Sequence, residues 1–135
     1  MRRVALLLIC MAVVTTALAQ GSPISKAQLQ SMFDQMRKDA PWNVDGPLLW
    51  GYYFTNRRPE PLREAAFRLE ASGYRVVDIS ERPNAPEAAR WWLHVEKVEV
   101  HTVESLNSRN QEFYNFARKT KLGSYDGMDV GPAPH

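Results

Sequence analysis

The sequence predicts an α+β fold in which helices pack on one face of an antiparallel sheet. Two observations lead to this prediction. Three segments carry apolar residues at helical spacing, and four others are short runs rich in β-branched and aromatic residues, which favour strands. The two kinds of segment alternate along the chain and are separated by Pro, Gly, Asn and Asp, which are typical of turns.

The first predicted helix and the first predicted strand flank a loop at residues 43–47. The apolar side chains of this helix recur at positions i, i+3, i+4 and i+7: Leu29, Met32, Phe33 and Met36. This spacing is typical of one buried helical face, and Ser25 is a suitable N-cap. The run Leu48–Thr55 is nearly all apolar and aromatic, so we expect a central strand that is covered on both faces.

The second predicted helix has the clearest boundaries. Its apolar stripe is formed by Leu62, Ala65, Ala66 and Leu69. Pro61 suits its first turn, and Gly73 suits the left-handed position that ends a helix. A strand follows directly at Tyr74–Ser80, with β-branched residues throughout.

The C-terminal part predicts a long strand, a capped helix and a short last strand. In the strand Trp91–Val100 the apolar residues change parity, which predicts a bulge or a strong twist near Glu96–Lys97. Thr102 can cap the helix that follows, whose apolar face is interrupted by Asn110. The tail Ser124–Val130 is predicted to add a short strand.

In chain order the elements are therefore a helix followed by βαββαβ. This is the ferredoxin-like pattern with an extra N-terminal helix. Right-handed crossovers would place both long helices on one face of the antiparallel sheet. We assign residues 20–47 to the N-terminal helix and linker and residues 48–131 to the α+β domain, so that residues 20–135 form a single domain.

Residues 1–19 have the three parts of a cleavable signal peptide. Arg2 and Arg3 are followed by an apolar run at residues 4–14, and Ala17 and Ala19 supply the small residues of a cleavage site. The apolar run is shorter than the ~20 residues that a membrane span needs. We therefore expect export to the periplasm or the extracellular space, with the mature chain starting at Gln20 and keeping no stable membrane anchor.

Composition excludes several classes of function for the mature chain. Without Arg2 and Arg3 it has 15 basic and 15 acidic side chains, so it lacks the basic stripe of a nucleic-acid-binding protein. Cys10, the only cysteine, leaves with the signal peptide. The mature chain therefore has no disulfide, no thiolate metal ligand and no cysteine nucleophile.

The two internal histidines, His94 and His101, are the candidate catalytic or metal-binding residues. Such a site would need converging partners such as Glu96 or Glu99, and His94 does share a strand face with Glu96. The sequence has no nucleophile elbow and no phosphate-binding glycine loop. We therefore predict a non-enzyme without a cofactor or metal, and keep a small ferredoxin-like enzyme using His94 as an alternative.

Aromatic residues are concentrated on two of the predicted strands, at Trp50, Tyr52, Tyr53, Trp91 and Trp92. The adjacent tryptophans must point to opposite faces of their strand. Two arrangements follow from this. Either the N-terminal helix covers the second sheet face, or one tryptophan is exposed and available to a partner.

Two short motifs carry a resemblance to a known family. The first is Ala71-Ser72-Gly73-Tyr74-Arg75-Val76, and the second, after a strand and a long helix, is Tyr125-Asp126-Gly127. From Leu29 to Val130 the chain resembles the regulator of ribonuclease E activity B (RraB) family, also called ribonuclease E inhibitor B. It departs from the family in having Met128 where tryptophan is common, and in lacking the strongly acidic tail and acidic N-terminal half of the best-known members.

The resemblance implies a ferredoxin-like domain that binds another protein and modulates its activity without catalysis. The family's namesake target is a cytoplasmic RNA-degrading enzyme, whereas the signal peptide predicts export. We therefore expect a protein partner whose identity the sequence does not give, and the namesake activity does not follow from the domain. The candidate partner-binding or structural residues are Trp50, Tyr52, Trp91, Trp92, Tyr125, Asp126 and Gly127. An alternative of the same kind is a periplasmic immunity protein that neutralises a secreted toxin.

Overall fold

Strands and helices alternate along the computed structural model, which describes residues 23–135. The helices are α1 (Lys26–Asp39), α2 (Pro59–Ala71) and α3 (Val103–Lys119). The strands are β1 (Leu48–Asn56), β2 (Arg75–Glu81), β3 (Trp91–Glu99) and β4 (Ser124–Pro132), and a short 3₁₀ helix, Glu87–Ala89, precedes β3. The predicted α+β class is confirmed, whereas the predicted signal peptide lies outside the described residues.

The four strands form one antiparallel sheet in the order β2-β3-β1-β4. Strand β1 pairs with β3 on one side, from Leu48 opposite Glu99 to Asn56 opposite Trp91, and with β4 on the other. Because both neighbours satisfy its backbone groups, β1 has no free edge. The predicted central position of this strand is confirmed, and β4 is longer than the short strand that we predicted.

The helices pack on one face of the sheet, which we call the covered face. The even-numbered side chains of β1 point toward them, and Trp50, Tyr52 and Phe54 have no exposed surface. The rings of Tyr52 and Phe54 meet the Phe113 ring of α3 at centroid distances of 4.9 and 5.2 Å. Such rings each bury about 150–250 Å², so this aromatic layer supplies much of the stabilisation of the core.

Helix α1 extends the same helical layer. Its Phe33 ring stacks on Trp50 at 6.0 Å, and Trp50 in turn meets the edge of His101 at 5.1 Å. Helix α1 also packs beside α3. Of the two arrangements left open by the sequence, coverage of the second sheet face by α1 is therefore wrong. The expectation that β1 is covered on both faces is wrong for the same reason, since within residues 23–135 its second face carries no helix.

Local signals fix where the helices begin. The Ser25 side chain accepts a hydrogen bond from the Gln28 amide, and the Gln28 side chain accepts one from the Ser25 amide. Thr102 and Ser105 form the same reciprocal capping box at the start of α3. Helix α2 starts at Pro59 with no side-chain cap. A side-chain cap contributes on the order of 1 kcal/mol, so the two predicted caps help to place α1 and α3.

The predicted bulge near Glu96–Lys97 is wrong. Strand β3 pairs with β1 in one continuous register, and the irregularity lies in the edge strand β2, between Val76 and Asp78. The extra residue, Val77, is 38% exposed. The parity change in β3 has another cause: Val98 is 47% exposed because it lies on the sheet face that has no helix.

The C-terminal strand closes the core through Tyr125. Its ring is buried, and its hydroxyl donates a 2.7 Å hydrogen bond to Asn110 Oδ1 on α3, which explains the polar interruption of that helical stripe. The pairing of β4 with β1 shifts register beside Tyr125, and Gly127 follows with φ of +104°. Strand β4 therefore closes the core with a satisfied buried hydroxyl at Tyr125 and a left-handed backbone at Gly127.

We expect Gly127→Ala to lower the free energy of unfolding by about 1–3 kcal/mol, because an L-residue is strained at this φ. Space does not limit the substitution, since the nearest atom to an added Cβ is Ile24 Cδ1 at 3.5 Å. Gly131→Ala is the matched control on the same strand, where an added Cβ meets no atom within 4 Å and φ is not positive. Urea unfolding of both variants is the measurement, and equal losses would contradict a conformational role for Gly127.

Candidate functional site

The sheet face opposite the helices is the candidate site, and we call it the open face. Strand pairing places its residues in rows across the sheet, because side chains alternate along each strand. In strand order the rows are Arg75, Glu96, Gly51 and Asp129; then Asp78, His94, Tyr53 and Gly127; then Ser80, Trp92, Thr55 and Ser124. Within residues 23–135 the larger side chains of these rows lie outside the hydrophobic core cluster.

The centre of the open face is a compact group of three polar side chains over a glycine. Tyr53 and His94 stack with their ring centroids 4.4 Å apart, and Tyr53 Oη donates a 2.6 Å hydrogen bond to Asp129 Oδ2. A Cβ on Gly51 would lie 2.8 Å from His94 Nε2 and would overlap Asp129 Oδ1. Only a glycine therefore lets a β3 side chain and a β4 side chain approach each other over β1.

The structure does not pair His94 with Glu96. The Nε2 atom of His94 is enclosed and has no hydrogen-bond partner within residues 23–135. Glu96, the partner named in the sequence analysis, is engaged elsewhere: Arg75 donates to its carboxylate from both Nε and Nη2. Glu96 therefore does not orient the His94 ring.

Trp92 forms a fixed aromatic platform at one end of the open face. Its indole Nε1 donates a 2.8 Å hydrogen bond to the Ala89 carbonyl, which holds the ring against the loop before β3. The guanidinium of Arg82 lies 3.8 Å from the centroid of the Trp92 ring, within cation–π distance. The Tyr53 ring also contacts Trp92, with the ring centroids 6.2 Å apart. Three independent contacts thus restrict the tryptophan to one orientation.

A second polar cluster lies between α3 and the covered face of the sheet, near Glu99 at the end of β3. Tyr52 Oη donates to Glu99 Oε2 at 2.8 Å, and Arg109 Nη1 donates to the same oxygen at 2.8 Å. His101 is buried between them, with Nε2 2.9 Å from Tyr52 Oη and Nδ1 2.9 Å from Ser105 Oγ. The cluster links the central strand to α3.

Hydrogen bonding keeps Glu99 ionised in this cluster. Burial raises the pKa of its carboxyl, but the hydrogen bonds from His101, Tyr52 and Arg109 outweigh burial and hold the pKa at about 2. Burial, reinforced by the negative charge of Glu99, raises the pKa of the Tyr52 hydroxyl well above its ordinary value. Both groups therefore keep fixed protonation states near neutral pH, which suits a structural role.

The structure separates the candidate residues named from the sequence into two groups. Trp50, Tyr52 and Tyr125 are buried in the core, and Trp91 packs against the core from its rim. Of the two adjacent tryptophans, only Trp92 lies on the open face. Asp126 is exposed on β4, next to the open face, and Gly127 belongs to one of the open-face rows.

Sequence reasoning missed the residues that give the open face its shape and charge, namely Gly51, Arg75, Asp78 and Asp129. One signal was present for Gly51, since an isolated glycine inside an apolar strand often marks a close approach of other groups. The remaining three could not be assigned to a face, because their grouping depends on the pairing of four strands. His94 and Tyr53 were noticed, but their stacking was not predicted.

Two negative observations apply to residues 23–135. No group of three or more His, Cys, Asp or Glu side chains in this range is arranged to hold a metal ion. No helix in this part of the chain has both the length and the apolar character needed to cross a membrane.

These features define a small α+β domain in which, over residues 23–135, one sheet face carries no helix and a partly buried ionisable cluster joins the other face to α3. The chain belongs to the regulator of ribonuclease activity B family, whose model matches residues 26–130. The family resemblance predicted from the Gly73-Tyr74 and Tyr125-Asp126-Gly127 motifs is thus confirmed. A family of this description fits a regulatory, protein-binding role. No curated protein shows significant similarity to the chain.

We expect Glu99→Gln to lower the free energy of unfolding at pH 7 by about 2–3 kcal/mol, since the amide cannot replace a partly buried carboxylate that is paired with Arg109. The folded-state pKa of Glu99, about 2, is below its ordinary value of 4.5. The stabilisation is therefore present above about pH 4.5 and is lost as the pH falls toward 2. Urea unfolding between pH 7 and pH 2.5 should show that the variant lacks this part of the pH dependence.

The control for this prediction is Glu112→Gln, which removes an exposed carboxylate 3.5 Å from the same Arg109 side chain. Exposed ion pairs contribute on the order of 0–1 kcal/mol, so we expect a loss in that range. If Glu99→Gln were as mild as Glu112→Gln, the buried cluster would not stabilise the fold as described.

Proposed function

We propose that this protein is exported and binds another protein through its open face, modulating the activity of that partner without catalysing a reaction itself. The observation that carries the proposal is the open face: a rigid surface of aromatic and polar side chains on a sheet whose other face holds the core. Membership of a family of ribonuclease regulators supports a regulatory role.

The side chains of the open face suit protein recognition. Tryptophan and tyrosine are enriched among the residues that dominate binding energies. Trp92 and Tyr53 are already held in place by hydrogen bonds and ring contacts, so little side-chain entropy would be lost when a partner binds. Val98, which lies next to Glu96 on the open-face side of β3, adds exposed apolar surface to the same face.

The absence of catalysis is part of the proposal and is supported by the histidines. His94 has no hydrogen-bonded base, and His101 is buried in the cluster that holds α3 to the sheet. The Ser105 hydroxyl beside His101 also accepts the Thr102 amide in the capping box of α3, so this pair fixes the start of the helix.

The fold type and the compartment also belong to this proposal. The element order and the strand order β2-β3-β1-β4 support a ferredoxin-like arrangement preceded by an extra helix. Residues 1–19 have the sequence of a cleavable signal peptide, which supports export. An exported chain would meet a partner outside the cytoplasm, so the partner need not be the enzyme for which the family is named.

The test is site-specific photo-crosslinking of the full chain in the cells that produce it. A photoreactive phenylalanine replaces Val98 on the open face or, as the matched control, Phe67 on the outer side of α2; the two positions are 47% and 78% exposed. We expect position 98 to give one major adduct in the periplasmic or extracellular fraction, with a protein chain that starts at Gln20. Position 67 should give little of this adduct.

The captured partner is then purified, and its activity is measured with the unmodified protein and with Trp92→Ala. Modulation that is lost in the variant is the expected result. Three outcomes would overturn the proposal: crosslinking from position 67 but not from position 98, an unprocessed chain retained in the cytoplasm, or a partner whose activity does not change. Identification of the partner as a toxin would favour the immunity alternative within the same binding mode.

A further inference from the structure

The charges on and beside the open face are unbalanced. Asp78, Glu96 and Asp129 belong to the open-face rows, and Asp126 is the exposed extra residue at the register shift of β4, within electrostatic range of Arg82. These four carboxylates lie against the two guanidinium groups of Arg75 and Arg82. Arg75 is paired with Glu96. Within residues 23–135 the three aspartates form no ion pair with Lys, Arg or His, although the acidic and basic side chains of this range are equal in number. The open face therefore carries an excess of negative charge, which favours a cationic partner.

The unpaired carboxylates lie on opposite sides of the aromatic centre. Asp78 is on the edge strand β2, whereas Asp126 and Asp129 are on the edge strand β4. Three inter-strand steps separate these edges, a span of roughly 14 Å at about 4.8 Å per step. Two side chains four residues apart in an extended peptide are separated by about 13 Å, which matches this span.

The face already binds guanidinium groups of its own chain in two ways. Glu96 accepts hydrogen bonds from two nitrogens of Arg75, and the ring of Trp92 carries the guanidinium of Arg82 at 3.8 Å. Carboxylate pairing and aromatic stacking together are typical of arginine recognition, because the planar guanidinium combines several fixed donors with a flat face. Lysine can form the ion pair but stacks less well.

From these observations we infer that the open face binds an extended basic segment of the partner protein, with two arginines about four residues apart. One arginine pairs with Asp78 and the other with Asp126 and Asp129, while the chain between them crosses Tyr53 and His94. The inference rests on the proposed function and adds to it the chemistry of the partner. An acidic segment would meet like charges at both edges of the same face.

The probe for the test is a seven-residue peptide, blocked at both ends, with arginine at positions 2 and 6 and otherwise Gly and Ser. It is titrated into the mature protein at low salt, and binding is followed through the backbone amide signals in NMR spectra. We expect the signals that move to be those of β2, β3, β1 and β4 residues on the open face. The peptide with lysines should bind more weakly, and the peptide with glutamates should not bind.

Charge-neutralising variants locate the contacts. The double variant Asp78→Asn and Asp126→Asn should lower the affinity for the arginine peptide by about tenfold, since it removes one exposed carboxylate at each edge of the open face. The matched control is Glu70→Gln with Glu112→Gln, which removes two exposed carboxylates from the helices. We expect the control to change the affinity by less than about twofold.

Several results would overturn the inference: no binding at millimolar peptide, signals that move on the helices instead, equal weakening in both double variants, or equal binding of the glutamate peptide. The proposed function is separable from these results. If position 98 captures a partner whose activity this protein modulates, but the arginine peptide does not bind, the proposed function holds and only the inference of a basic segment is overturned. If the arginine peptide binds but position 98 captures no partner, the preference of the open face for arginine holds and the proposed function is overturned.

Discussion

The alternation of side chains along the central strand β1 is the constraint on which the rest of the structure depends. Trp50, Tyr52 and Phe54 fill the core under the helices, while Gly51 and Tyr53 face the other way. A register slip of one residue would exchange these two sets and would bury Tyr53 in place of the core rings. Because β1 pairs with both β3 and β4, its register also decides which residues of those strands reach each face.

Each face of β1 holds a tyrosine in a polar cluster, and the two clusters have different roles. Tyr52 is bonded to a buried carboxylate that is fixed by Arg109, so its cluster joins the helices to the sheet. Tyr53 is bonded to Asp129 and stacked on His94, above a glycine that leaves room for both. The buried cluster supports the sheet, and the sheet holds the outer cluster in a fixed arrangement that is available for recognition.

The sequence predicted the parts of the fold that depend on neighbours along the chain. Helical stripes, the caps at Ser25 and Thr102 and the end of α2 at Gly73 all act within a few residues. The open face depends instead on the pairing of distant strands, which single-strand patterns do not specify. The pair formed by Asn110 and Tyr125 shows the difference, since each was noticed alone and only their packing explains both.

The free energies of unfolding of Tyr52→Ala and Tyr53→Ala test the central claim most directly, because these adjacent tyrosines lie on opposite faces of one strand. Loss of the buried Tyr52 should cost about 3–5 kcal/mol, the range for a large core aromatic. Loss of Tyr53, on the open face, should cost about 1–2 kcal/mol through its hydrogen bond to Asp129 and its ring contacts with His94 and Trp92. Urea unfolding of the mature chain should therefore separate the variants by at least about 2 kcal/mol. Equal losses would mean that the second face is also part of a core and would contradict its assignment as a binding surface.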